Sequence, residues 1–106
     1  PVTICEKNNQ VQSFITRNLA SLHVDIKLHK KSVETLFGVG HFDIVFLDPP
    51  YAENINQAMP HFFSLANRFL ILESDRHKSI EDSPSDWDLW KMKIYGGTRL
   101  SIFTVK

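Results

Sequence analysis

The junction between FDIVFL, Phe42–Leu47, and the Asp48-Pro49-Pro50-Tyr51 that follows constrains the fold more than any other stretch of the chain. Apart from Asp43 the run is apolar and rich in β-formers, the pattern of a strand covered on both faces in a parallel sheet. It ends abruptly, because neither proline has an N–H to give to a ladder and both fix φ near about −65°. A buried strand that stops this way presents an acid and an aromatic ring at its carboxyl end.

The rest of the chain alternates around that strand. Val2–Cys5 reads as a short strand at the very start of the sequence, which suggests a portion of something longer. Val11, Phe14, Ile15, Leu19 and Leu22 recur at helical spacing and predict a helix from Gln10 to Leu22, capped by Asn8 or Asn9. Val24, Ile26 and Leu28 alternate and predict a second strand ending at His29. KSVETLFG predicts a short helix capped by Ser32 and stopped at Gly38. Beyond the prolines, Asn54–Ala66 predicts a helix that Pro60 should kink or divide. Arg68–Ser74 is a further buried strand and Asp75–Asp86 an exposed polar loop. Trp87–Lys106 is a hairpin turning at Gly96-Gly97, since both glycines tolerate positive φ. Alternating strands and helices imply an α/β fold with a parallel sheet, helices on its faces, and the hairpin as an antiparallel edge.

The totals set the limits. A chain of 106 residues holds one small domain, residues 1–106. Twelve basic and twelve acidic residues cancel, so any nucleic-acid contact needs a local patch rather than a global field. The single cysteine, Cys5, excludes an internal disulfide and a cysteine-based zinc site. His23, His29, His41, His61 and His77 lack metal-ligand spacing, so no metal is expected. No apolar run approaches the roughly 20 residues that span a bilayer, and the start lacks a signal-peptide pattern. A cytoplasmic protein with no membrane partner is the expectation.

In an open α/β sheet, ligands bind beyond the carboxyl ends of the strands. Glu6, Asp48 and Glu73 all lie at predicted strand ends and would share one rim. The Asp48 carboxylate beside the Pro49 carbonyl can accept two hydrogen bonds from one planar amino group. Tyr51 offers a face for a planar base, which would have to be unpaired or flipped from its helix. Each residue also has a plainer explanation. Asp and Pro are ordinary turn residues, Glu6 and Glu73 suit solvated strand ends, and Lys27–Lys31 suits a solvated basic edge. Trp87, Trp90 and Tyr95 are expected to pack in the core or at a sheet edge.

Taken together, VTICEKN, FDIVFLDPPY, FLILES and the closing W-D-L…Y-G-G-T-R-L-S-I-F resemble the RsmD-type small-subunit ribosomal RNA guanine-N(2) methyltransferases. The resemblance runs nearly end to end from the family's second strand. It implies a Rossmann-like, S-adenosylmethionine-dependent methyltransferase sheet, truncated at the N-terminus, mostly parallel, with an antiparallel C-terminal hairpin. It implies that Asp48, Pro49, Pro50 and Tyr51 are the catalytic motif, orienting the amine for direct methyl transfer. Glu6 would grip the cofactor ribose, with Lys7, Ser32 and Val33 near the adenine and Asp48 also facing the cofactor. Ser32 departs from the acidic or amide residue usual at its position. The family's first strand and glycine-rich loop have no counterpart in the sequence. The implied partners are ribosomal RNA or the small ribosomal subunit, and the orphaned sheet edges would suit a homodimer. Two alternatives stay open: a non-catalytic remnant or interaction domain of methyltransferase fold, and an amino-methyltransferase acting on adenine in DNA.

Overall fold

The structure, a computed structural model, describes residues 2–49, 55–78 and 83–106. It forms two compact units, Pro1–Leu36 and Phe37–Lys106.

The first unit is a βαβ arrangement of β1 (Thr3–Cys5), α1 (Asn9–Leu22) and β2 (Lys27–His29), followed by a 3-10 turn over Val33–Leu36. β1 and β2 are parallel, with Thr3 opposite Lys27 and Cys5 opposite His29. Asn8 caps α1 as its sequence predicts. Its side-chain oxygen accepts from the N–H groups of Gln10 and Val11, both at 3.0 Å, a cap that stabilises a helix by about 1 kcal/mol. The other end of α1 closes through His23 in the left-handed conformation at φ 55°, its N–H donating to the Ala20 carbonyl. β2 is shorter than the alternation of Val24, Ile26 and Leu28 predicts, because its ladder partner β1 runs only from Thr3 to Cys5. The helix expected from Ser32 is reduced to the 3-10 turn, in which the Ser32 carbonyl accepts from the Thr35 N–H at 3.1 Å and the Thr35 hydroxyl at 2.8 Å.

The second unit contains β3 (Phe42–Leu47), α2 (Met59–Leu65), β4 (Ala66–Asp75), β5 (Trp87–Tyr95) and β6 (Thr98–Val105), in the sheet order β3-β4-β6-β5. β3 and β4 are parallel, while β6 runs antiparallel to both β4 and β5. Across the two sheets the pairing is therefore mixed, with the expected hairpin at its antiparallel end. Gly96 turns the hairpin at φ 56°, where any side chain would be strained. Pro60 does not kink α2. It lies in the first turn, where a missing N–H removes no helical hydrogen bond.

Register explains the core. Val45, Leu70 and Phe103 line up across β3, β4 and β6, as do Leu47, Leu72 and Ser101. Met59 and Phe63 of α2 close over this face together with Trp87. The Phe63 ring lies 5.0 Å from Trp87 and meets Phe103 edge-on at 5.2 Å. Among the described residues, every fully buried apolar side chain belongs to this second unit.

The opposite face of the same sheet carries Ile44, Phe46, Phe69, Ile71, Leu100 and Ile102 by register. Ile44 and Phe46 are each 58% exposed. This corrects the expectation for FDIVFL, which is covered on one face only. A continuous apolar run has no period that tells a covered second face from an open one. No helix among the described residues is long and apolar enough to cross a membrane.

Candidate active-site residues on two strand ends

The first unit gathers four of the predicted residues at the carboxyl ends of its two parallel strands. Glu6 follows β1, and its N–H donates to the carbonyl of His29, the last residue of β2, at 3.1 Å. The Glu6 carbonyl accepts from the side-chain amide of the buried Gln12 at 2.8 Å. Held on both sides, the backbone fixes where the carboxylate emerges. One carboxylate oxygen accepts from the Asn8 N–H at 3.0 Å. A carboxylate has about four lone-pair sites, so acceptors remain for a pair of ligand hydroxyls. Lys7 is exposed beside Glu6, and Ser32 and Val33 are half-buried just past the end of β2. An acid with spare acceptors, a half-buried apolar side chain and a small hydroxyl on one rim fit the ribose and base of an adenosine group.

Cys5 lies in the same unit, and its thiol donates to the Lys31 carbonyl at 3.3 Å. Burial, then the charges of Glu6 and Glu34, push its pKa above the ordinary thiol value. The shift favours the protonated thiol over the thiolate, the form that reacts. His29 and Thr35 are bonded between Nε2 and Oγ1 at 2.7 Å. No group of His, Cys, Asp and Glu able to hold a metal occurs among the described residues.

In the second unit, Asp48 is exposed and Pro49 half-buried immediately past the end of β3. The strand thus delivers the acid to the carboxyl end of a parallel pair, as the sequence predicts. Pro50 and Tyr51 lie outside the described residues. Glu73 differs from its expected place. Leu47 pairs with Leu72, but β4 continues to Asp75 because β6 keeps pairing with it, so Glu73 sits inside the strand opposite Leu100. Asp75 is the acid that closes β4, with Oδ1 accepting from the His77 N–H at 2.8 Å.

The hairpin aromatics follow expectation: Trp87 is in the core, and Trp90 and Tyr95 lie on β5, the edge strand of the sheet, where they are 56% and 59% exposed.

Residues 1–104 match the family model described as conserved hypothetical protein 95. The chain belongs to that family, an RsmD-like one. No curated protein matches it in sequence. Among solved structures it is similar to a conserved hypothetical protein of Streptococcus pyogenes, at 27% identity and a TM-score of 0.84, over 98% of this chain and 71% of that one. It is similar to the "putative methylase HI0767" of Haemophilus influenzae, at 25% identity and a TM-score of 0.81, again over 98% of this chain and 71% of that one. An rRNA methylase of Escherichia coli shares the fold at 15% identity and a TM-score of 0.73, over 99% of this chain and 48% of that one. The fold of this family member is accordingly the Rossmann-like methyltransferase sheet, represented in part, with its antiparallel C-terminal hairpin.

Proposed function

We propose that this chain carries the base-holding and cofactor-ribose elements of an S-adenosylmethionine-dependent enzyme that methylates the exocyclic amine of guanine in ribosomal RNA. The observation that carries this reading is Asp48-Pro49 at the carboxyl end of the parallel strand β3, in a chain of an RsmD-like family. Membership of an RsmD-like family supports RNA rather than DNA as the substrate.

S-adenosylmethionine, when bound, supplies an electrophilic methyl group. The protein's part is to hold and orient. The Glu6 carboxylate accepts from the ribose hydroxyls, Lys7 lies at the same rim, and Ser32 and Val33 border the adenine. Asp48 and the Pro49 carbonyl accept the two N–H bonds of the guanine amine, which fixes the direction of its lone pair. Tyr51 stacks on the base. As the new N–C bond formed, the methyl–sulfur bond would break to leave the neutral thioether of S-adenosylhomocysteine, and the amine nitrogen would become cationic and shed one proton. The exposed Asp48 carboxylate is placed to take that proton and pass it to water. The chain would meet its substrate as ribosomal RNA or as the small ribosomal subunit.

The test is transfer of labelled methyl from S-adenosylmethionine to purified ribosomal RNA, to small subunits and to DNA, followed by digestion to nucleosides. N2-methylguanosine formed by the wild type and absent with Asp48→Ala supports the assignment. Label on adenine in DNA would favour the other amino-methyltransferase reading, and no transfer to any nucleic acid would reject the catalytic one.

A further inference from the structure

The face of the second sheet opposite α2 holds a feature that methyl transfer does not use. Arg68, Phe69, Trp90 and Lys91 form an interleaved row. The Arg68 guanidinium carbon lies 5.8 Å from the Phe69 ring centre, Phe69 lies 6.1 Å from Trp90, and Lys91 Nζ sits 4.6 Å from the Trp90 ring. Trp90 and Lys91 are sequence neighbours and in a regular strand would point to opposite faces. A bulge places them together: Leu89 pairs with Phe103 and Lys91 with Ile102, leaving Trp90 as the extra residue.

The row opens into a cleft of about 320 Å³ lined by Trp90, Lys91, Lys93, Tyr95, Leu100 and Ile102. Both aromatic rings are more than half exposed, both cations are lysines, and among the described residues the cleft lining holds no acid, with Glu73 beside it opposite Leu100. The whole chain has no net charge, so two lysines beside two more than half-exposed aromatic rings, one of them carrying Lys91 on one face, make a local site rather than a general basic surface.

We propose that this cleft binds single-stranded RNA flanking the target nucleotide, with bases stacked on Trp90 and Tyr95 and phosphates neutralised by Lys91 and Lys93. Flat aromatic faces serve any unpaired base, and ammonium groups at strand spacing follow its backbone. A duplex hides the base faces and offers only its phosphates. The identity of the nucleic acid rests on the RNA methyltransferase reading above.

The experiment is fluorescence anisotropy of a labelled mixed-sequence RNA of about 12 nucleotides, single-stranded or as a duplex, with the 106-residue chain at several salt concentrations. The single strand binds more tightly than the duplex. Lys91→Glu with Lys93→Glu weakens binding about tenfold or more and reduces the slope of log K against log salt by about 1.4, or about 0.7 for each lost phosphate contact. Trp90→Ala weakens it about fivefold or more, while Trp90→Phe, which keeps the fold and an aromatic face, retains most of it. Thermal melts establish that each variant is folded. Equal binding by wild type and the lysine double variant overturns the proposal. So does light scattering that shows a dimer made monomeric by Trp90→Ala with RNA affinity unchanged, which would assign the face to a second copy. If wild type binds RNA through this cleft but transfers no methyl, the functional reading fails and the cleft stands. If Asp48→Ala abolishes transfer and the cleft variants bind as wild type does, the cleft fails alone.

Discussion

The Phe63 ring of α2 packs 5.0 Å from the Trp87 ring at the start of β5. This contact joins the helix to the far strand of the sheet over a core that also includes Leu70, Leu72 and Phe103. Phe63 is 3% exposed, so truncation there leaves a cavity that surrounding strands cannot fill. Phe63→Ala is expected to destabilise the chain by about 3–5 kcal/mol, and Phe63→Leu by much less. Urea unfolding followed by the fluorescence of buried Trp87 measures both.

His23 ends α1 in the left-handed region, at φ 55°. A side chain with a β-carbon pays for that conformation and glycine does not. His23→Gly should stabilise the protein by about 0.5–1 kcal/mol after the extra freedom of glycine in the unfolded chain is deducted. A higher midpoint in thermal or urea unfolding is the expected outcome, and His23→Ala should show no such gain.

Cys5 has its pKa raised, first by burial and then by Glu6 and Glu34. A raised thiol pKa means that the folded state keeps a proton which the unfolded state releases. The corresponding stability is complete below the ordinary thiol pKa and is lost as pH rises through the folded value. Wild type should therefore lose more stability than Cys5→Ala between neutral and strongly alkaline pH. Alkylation of Cys5 by iodoacetamide at mildly alkaline pH should also be slower than that of a cysteine peptide.

Asp48→Asn keeps the size of the side chain but replaces one acceptor oxygen with a donor facing the substrate amine. Single-turnover methyl transfer should fall about 10²–10³-fold. Asp48→Glu, with the acid displaced by one methylene, should fall as well. Guanine transfer that survives Asp48→Asn at the wild-type rate would remove Asp48 from the chemistry.

Much of this arrangement was legible where local sequence decides structure. The Asn8 cap, the Gly96-Gly97 turn, the span of β3 and the delivery of Asp48 to its end all follow from residues within a few positions of one another. What escaped depends on distant partners. Whether the Ile44–Phe46 face is covered, how far β4 runs beyond β3, and how short β2 becomes are set by neighbouring strands. The bulge at Trp90 escaped because W-K-M-K reads as plain alternation, and only the pairing with β6 shows the extra residue. Spacing alone does not place the start of α2, and a helix begun at Asn54 would be kinked or divided by Pro60, whereas one begun at Met59 holds it in the first turn.

The measurement that bears most directly on the account is calorimetric titration of S-adenosylmethionine into the wild-type chain and into Glu6→Ala. Glu6 keeps its N–H bond to His29 and its carbonyl bond to Gln12 whatever its side chain, so the variant loses the carboxylate and its bond from the Asn8 N–H while the backbone pairing at the end of β1 is retained. The account predicts saturable binding by wild type, weakened about tenfold to a hundredfold by Glu6→Ala, as expected for lost charge-assisted hydrogen bonds. Binding of equal strength in both proteins, or none in the wild type, would contradict it.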